Sequence, residues 1–201
     1  FGDIGADGVV VEVKNAYIDF NAFNSRFEIG TQGFKLLRGF VMNDDASGLK
    51  YSFRGMDNII PSFQWFRFWD GDRNSGDDGT DTDMFTLLAN IKSGNMQFVP
   101  TLSYLTNSGA YTGNNANLTP GEPAAVYFIG LDWMAKWDAF DMALTGIYEG
   151  GSLDDNRDIS AYLFDLKAGF KLAAFKIKAE GLYSTGQSAT AAATDDYDGF
   201  W

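Results

Sequence analysis

The sequence predicts an all-β fold: an antiparallel, up-and-down transmembrane β-barrel with about ten strands visible. Three observations predict it. A two-residue hydrophobic period runs from about residue 9 to 184, short and long polar connections alternate, and aromatic residues sort to the strand ends.

The strands are expected in the following order. The 9–22 stretch carries the period but switches face near Asn15-Ala16, which predicts a bulge. Phe27, Ile29 and Thr31 then alternate with Glu28 and Gln32, and Leu49, Tyr51 and Phe53 with Lys50, Ser52 and Arg54. The 59–69 stretch is nearly all apolar, interrupted by Gln64 and Arg67. Phe85, Leu87, Ala89 and Ile91 oppose Thr86 and Asn90, and Met96, Phe98, Leu102 and Tyr104 oppose Gln97, Thr101 and Ser103. Tyr127, Ile129, Leu131 and Trp133 oppose Gly130 and Asp132, while Phe140, Met142, Leu144 and Tyr148 alternate with Asp141, Thr145 and Glu149. Tyr162, Phe164, Leu166 and Phe170 alternate with Asp165, Lys167 and Lys171. After Ala173-Ala174 the apolar parity resumes at Phe175, Ile177 and Tyr183, against Lys176, Lys178 and Glu180.

Short connections are expected near 23–25, 56–58, 93–95, 136–138 and 173–174, and long polar ones at 37–47, 70–82, 107–123, 150–158 and 186–200. Outer-membrane barrels sort their loops in this way, and soluble sandwiches have no reason to. Tyr104, Tyr127, Tyr148, Tyr162 and Tyr183 fall beside the long connections, and Trp133, Phe140, Phe170 and Phe175 beside the short ones. Rings with an apolar body and a polar tip favour a membrane–water boundary. Charged residues on the other parity would face inward: Glu28, Lys50, Arg54, Asp132, Asp141, Glu149, Asp165, Lys167, Lys171, Lys176, Lys178 and Glu180. Such an interior is expected to be wet or densely salt-bridged rather than a dry core.

Composition narrows the function classes. With no His and no Cys, serine–histidine hydrolysis, His-ligated haem, the usual zinc sites, thiolate chemistry and disulfides cannot be built from this chain. No enzymatic role is therefore expected. A net charge of −12 argues against nucleic acid as a partner. No apolar run is long enough for a membrane-spanning helix. FGDIGADG at the start has neither a basic region nor an apolar core, so an export signal is expected to have been removed or to lie outside this sequence.

Residues 1–201 are expected to form a single barrel segment without a second domain. Strand direction places both ends on the long-loop, extracellular side, whereas complete barrels keep both termini periplasmic. Asp195, Asp196 and Asp198 precede Trp201 where a closing strand would alternate apolar residues. The expectation is an internal portion of a larger barrel, with at least about 12 strands.

RFEIGTQGFKLLRGFVMNDDASGLKYSF (26–53), KNAYIDF (14–20) and DDYDGFW (195–201) together resemble the porin-like channels of metal- and sulfur-reducing Gram-negative bacteria. In that family a Gln-Gly-Phe step ends a strand, then an acidic loop and Ala-x-Gly lead into the next one. The resemblance implies an outer-membrane channel and carries over no catalytic residue.

Two candidate sites stand out. In DGDRNSGDDGTDTD (70–83), Asp70, Asp72, Asn74 and Asp81 have part of a calcium-loop spacing, but Ser75 stands where the turn needs Gly and no helices flank it. A looser calcium site and a solvated acidic loop both remain open. With Asp44, Asp45, Asp154, Asp155, Asp158, Asp195, Asp196 and Asp198, this loop would make an acidic extracellular rim that concentrates cations or shares divalent ions with lipopolysaccharide. Inside, Lys167, Lys171, Lys176 and Lys178 form either a basic patch favouring anionic solutes or a ladder paired with Asp165 and Glu180. Phe66 and Phe68 share the inward parity and could form a greasy constriction.

The leading expectation is a porin-type outer-membrane channel for passive diffusion of small hydrophilic solutes or ions, in contact with lipid and lipopolysaccharide. No cofactor beyond calcium is called for, and a homo-oligomer is open. The alternatives are a structural sheath that holds a partner such as a multihaem electron carrier across the membrane, and a soluble β-protein.

Overall fold

A computed structural model describes residues 4–6, 9–11, 14–69, 82–107, 124–154, 157–186 and 199–200. Two short strands, β1 (Ile4–Ala6) and β2 (Val9–Val11), pair as a separate antiparallel hairpin. Ten further strands follow: β3 (Ala16–Ala22), β4 (Ser25–Leu36), β5 (Met42–Phe53), β6 (Ile59–Trp69), β7 (Thr82–Ser93), β8 (Met96–Asn107), β9 (Ala124–Lys136), β10 (Phe140–Asp154), β11 (Arg157–Leu172) and β12 (Phe175–Ser184). They form one antiparallel sheet in strict chain order, each strand paired with its sequence neighbours. The all-β, up-and-down architecture expected from the two-residue period is the architecture observed. Among the described residues β3 and β12 do not pair, so the sheet is open.

Short turns suit the meander. Phe23-Asn24, both with positive φ, close β3–β4, and Gly94 does so in β7–β8. Two expectations are corrected at the opposite end. The connections anticipated at 37–47 and 150–158 are largely strand. Leu36 pairs with Met42 and Asp154 with Arg157, because the ladder hydrogen bonds continue through polar residues that hydropathy assigns to loops. The 9–22 stretch is likewise no bulged strand. It divides into β2, paired with β1, and β3, paired with β4, and so its face switch costs no ladder continuity.

One face of the sheet is apolar and exposed, and the other is buried and mixes apolar with polar and charged side chains. Along β11 the even residues Tyr162, Phe164, Leu166, Phe170 and Leu172 are exposed, while Ile159, Ala161, Leu163 and Asp165 are buried. Leu87, Leu102, Ile129, Leu131, Leu144 and Ile177 continue the exposed apolar surface across neighbouring strands. Two aromatic rows bound it. Trp65 pairs with Phe85, Phe85 with Tyr104, Tyr104 with Tyr127, and Tyr148 with Tyr162. The rings of Tyr127 and Tyr148 lie 5.9 Å apart, and those of Tyr148 and Tyr162 5.0 Å apart. Near the other turns, Phe98 pairs with Trp133 and Phe140 with Phe170. Beyond Leu49, the partner of Trp65, the same face turns polar at Ser47, Asp45 and Asn43.

The core lies on the opposite face. Phe34 and Leu36 of β4, Phe66 of β6, Met84 of β7, Leu105 of β8, Val126 and Phe128 of β9, Ile147 of β10, and Ile159 and Leu163 of β11 form one cluster. Residues from these seven strands can meet only if the sheet curls around that face. Gly48 helps it do so, because a Cβ there would collide with the Trp65 carbonyl and the Phe66 backbone. Among the described residues no helix is long and apolar enough to cross a membrane, which leaves strand crossing unaddressed.

Candidate functional site: the enclosed face and its inward turn

The enclosed face has two unlike halves. Nearest the β4–β5 turn it is largely apolar and closely packed, with Glu149 buried between Phe128 and Ala161, which corrects the expectation of a wet or salt-bridged interior throughout. The polar parity of β4, β6 and β9 gives way there to Phe34, Leu36, Phe66, Val126 and Phe128, whose burial stabilises by roughly 1.5–3 kcal/mol per side chain. Phe66, anticipated as a constriction, is fully buried against the Phe34 ring. The side chain of Phe68 lies outside the described residues.

A single 3-10 turn, Leu37–Gly39, folds over this cluster. Leu37 and Arg38 both hold left-handed backbone, at φ 48° and 59°, before Gly39 at φ 95°. Two non-glycine residues in that region cost about 1–3 kcal/mol each. The cost is offset where the side chains go. Leu37 is buried against Gly130, where a Cβ would come within 2.5 Å of it. Arg38 reaches across the interior to β10 and β11. Its Nη2 lies 2.7 Å from Asp165 Oδ2, and its Nη1 donates to Thr145 Oγ1 at 3.0 Å.

Register explains why a guanidinium fits there. Thr145 pairs with Asp132 on one side and Asp165 on the other, so two carboxylates flank one hydroxyl in a row across three strands. Thr145 Oγ1 donates to Asp132 Oδ1 at 2.6 Å. Both aspartates are buried, Asp165 completely. A buried carboxylate is expensive without a partner, and Arg38 is the cation that reaches this row.

Nearer the opposite turns the enclosed face is polar. Arg26 bridges Asp19 in a two-pronged pair at 2.9 and 2.7 Å and approaches Glu28 at 3.3 Å. Lys50 donates to the Gly33 carbonyl at 2.7 Å and lies 5.6 Å from the Phe66 ring centre. Lys167 pairs with Glu180 and Lys176 with Asp141, each at 2.6 Å. Asp141, Lys167, Lys176 and Glu180 border a cleft of about 900 Å³ beneath Arg38.

Strand register puts the interior set Glu28, Lys50, Asp132, Asp141, Glu149, Asp165, Lys167, Lys171, Lys176, Lys178 and Glu180 on the enclosed face. Arg54 follows the end of β5, where its backbone N–H donates to the Asn24 carbonyl. Of the ladder anticipated for the lysines, Glu180 takes part, but Asp165 belongs to Arg38 instead. The possible calcium ligands Asp70, Asp72, Asn74 and Asp81 lie outside the described residues, as do Asp155, Asp195, Asp196, Asp198 and the Asp154 side chain. Among the described residues no cluster of three or more acidic side chains could hold a metal ion.

Arg38, Lys92 and Lys136 are the residues that the alternation pattern passes over, while Thr145 is read there only as one more inward polar residue. For Arg38 a signal exists: LLRGF sets one cation among four residues with no polar side chain, ahead of a turn glycine, inside a stretch counted as polar loop.

The fold thus defines an open, curled, antiparallel meander with an apolar exterior face and a charged, partly plugged enclosed one. Compared with protein-family models, curated proteins and solved structures, the chain matches none of them.

Proposed function

We propose that this chain forms the wall of a porin-type outer-membrane β-barrel, through which small hydrophilic solutes or ions diffuse passively. The observation that carries this reading is the extended, exposed apolar face of the sheet, bounded by two aromatic rows. Phe140 and Tyr148 on β10 are eight residues apart, as are Tyr162 and Phe170 on β11. At about 3.4 Å per residue that is about 27 Å along the strand, or about 21 Å in height at a tilt of roughly 40°, close to the ~25 Å apolar band of such barrels. Water gains nothing from so much exposed Leu, Ile and Phe, whereas lipid needs it, together with strands that satisfy every backbone group.

In this reading the Leu37–Gly39 turn and the cluster beneath it narrow the interior on the long-connection side, and the charged half forms a vestibule. The filled half leaves little room for a partner polypeptide, which favours a channel over a sheath around a multihaem carrier. The test is reconstitution into planar bilayers of protein extracted in detergent. Discrete conductance steps, with heat-modifiable migration on gels, are expected. Extraction without detergent and a silent bilayer would defeat the proposal.

A further inference from the structure

Positive charge is concentrated in the cleft beneath Arg38, in a chain whose net charge is −12. Six cationic side chains line the cleft against two acidic ones, Asp141 and Glu180. Three of the six are engaged: Arg38 with Asp165, Lys167 with Glu180 and Lys176 with Asp141. Both acids are thereby used. Lys92 of β7, Lys136 of β9 and Lys178 of β12 have no ion pair among the described residues. They come from three non-adjacent strands yet border one concavity, so their charges converge on a shared volume instead of lying in a wall ladder. That excess would draw anions, and low-dielectric walls focus its field.

The size and lining point to a class of anion. A cleft of about 900 Å³ is many times larger than an inorganic oxyanion needs, and Met134 and Ala143 supply apolar wall between the lysines. A carbon skeleton carrying several separated carboxylates matches both features, since each carboxylate can take a charge-assisted hydrogen bond from a different ammonium group. We propose that this cleft is a binding site for small organic polyanions of the di- and tricarboxylate type. As a statement about transport this rests on the channel reading, but binding can be measured without it.

The experiment titrates citrate by calorimetry into the protein in neutral detergent micelles at low ionic strength, with sorbitol and inorganic phosphate as comparison ligands. Lys92, Lys136 and Lys178 are all exposed, so the triple variant Lys92→Gln/Lys136→Gln/Lys178→Gln should fold, and its gel migration checks that. Lys35→Gln, on the other face, is the control. Citrate should bind more tightly than phosphate, and sorbitol should not bind. The triple variant should lose about tenfold or more in affinity and the control should lose none. Equal citrate binding by the triple variant, absence of binding to the unaltered protein, or preference for phosphate would overturn the site. In bilayers, citrate should reduce the potassium chloride current of the unaltered protein and of the control, but not that of the triple variant. Citrate binding without any conductance would remove the channel reading and leave the site standing, whereas conductance without citrate binding would do the reverse.

Discussion

Removing Arg38 should reveal how much the inward turn depends on one buried ion pair. Arg38→Ala leaves Asp165, which has no solvent exposure, without the guanidinium 2.7 Å away, and Thr145 without its 3.0 Å donor. Breaking a buried pair from one side typically costs about 3–5 kcal/mol, because the remaining charge is stranded. The left-handed turn offsets part of this, since the backbone at position 38 is free to relax once the anchor is gone, by about 1–3 kcal/mol, while Leu37 stays seated against Gly130. A net loss of about 2–3 kcal/mol is therefore expected. The double variant Arg38→Ala/Asp165→Asn removes the stranded charge as well and should recover half of that loss or more. Reversible urea unfolding in detergent micelles, followed by tryptophan fluorescence, measures both variants. A change below about 0.5 kcal/mol for the single variant, or no recovery in the double one, would show that Asp165 does not depend on Arg38.

Other substitutions test neighbouring parts of the argument. Ile129→Arg places a charge in the middle of the exposed apolar face. It should cost about 2–4 kcal/mol in lipid bilayers if that face meets hydrocarbon, against about 0.5 kcal/mol or less if it meets water, as read from unfolding in the two environments. Phe66→Ala empties a fully buried position against Phe34 and should destabilise by about 3–5 kcal/mol in chemical denaturation. Gly130→Val would occupy the space of the Leu37 side chain, costing about 1–3 kcal/mol by overpacking and unseating the turn. On the channel reading, that variant should show a larger unit conductance in planar bilayers, and an unchanged conductance would mean that the turn does not narrow the path.

Much of this protein can be read from its residues in order. A two-residue period is a local property of the pleat, so Phe164, Asp165, Leu166 and Lys167 declare their faces without knowledge of the partner strand. That determined the all-β class, the order of the ten strands and the inward side of the charged set. The period could not show how far strands continue through polar residues. Met42–Ala46 and Gly150–Asp154 look like loop until their ladder partners are known. Nor could it show that the enclosed face is largely apolar at one end, because Phe34, Phe66 and Phe128 lie on separate strands and become a cluster only when the sheet curls. The Arg38–Asp165 pair spans more than a hundred positions, and the cleft joins lysines from three strands. Alternation along a strand is set by neighbours in the chain, whereas burial and pairing across the enclosed face are set by curvature and register, which only the folded sheet possesses.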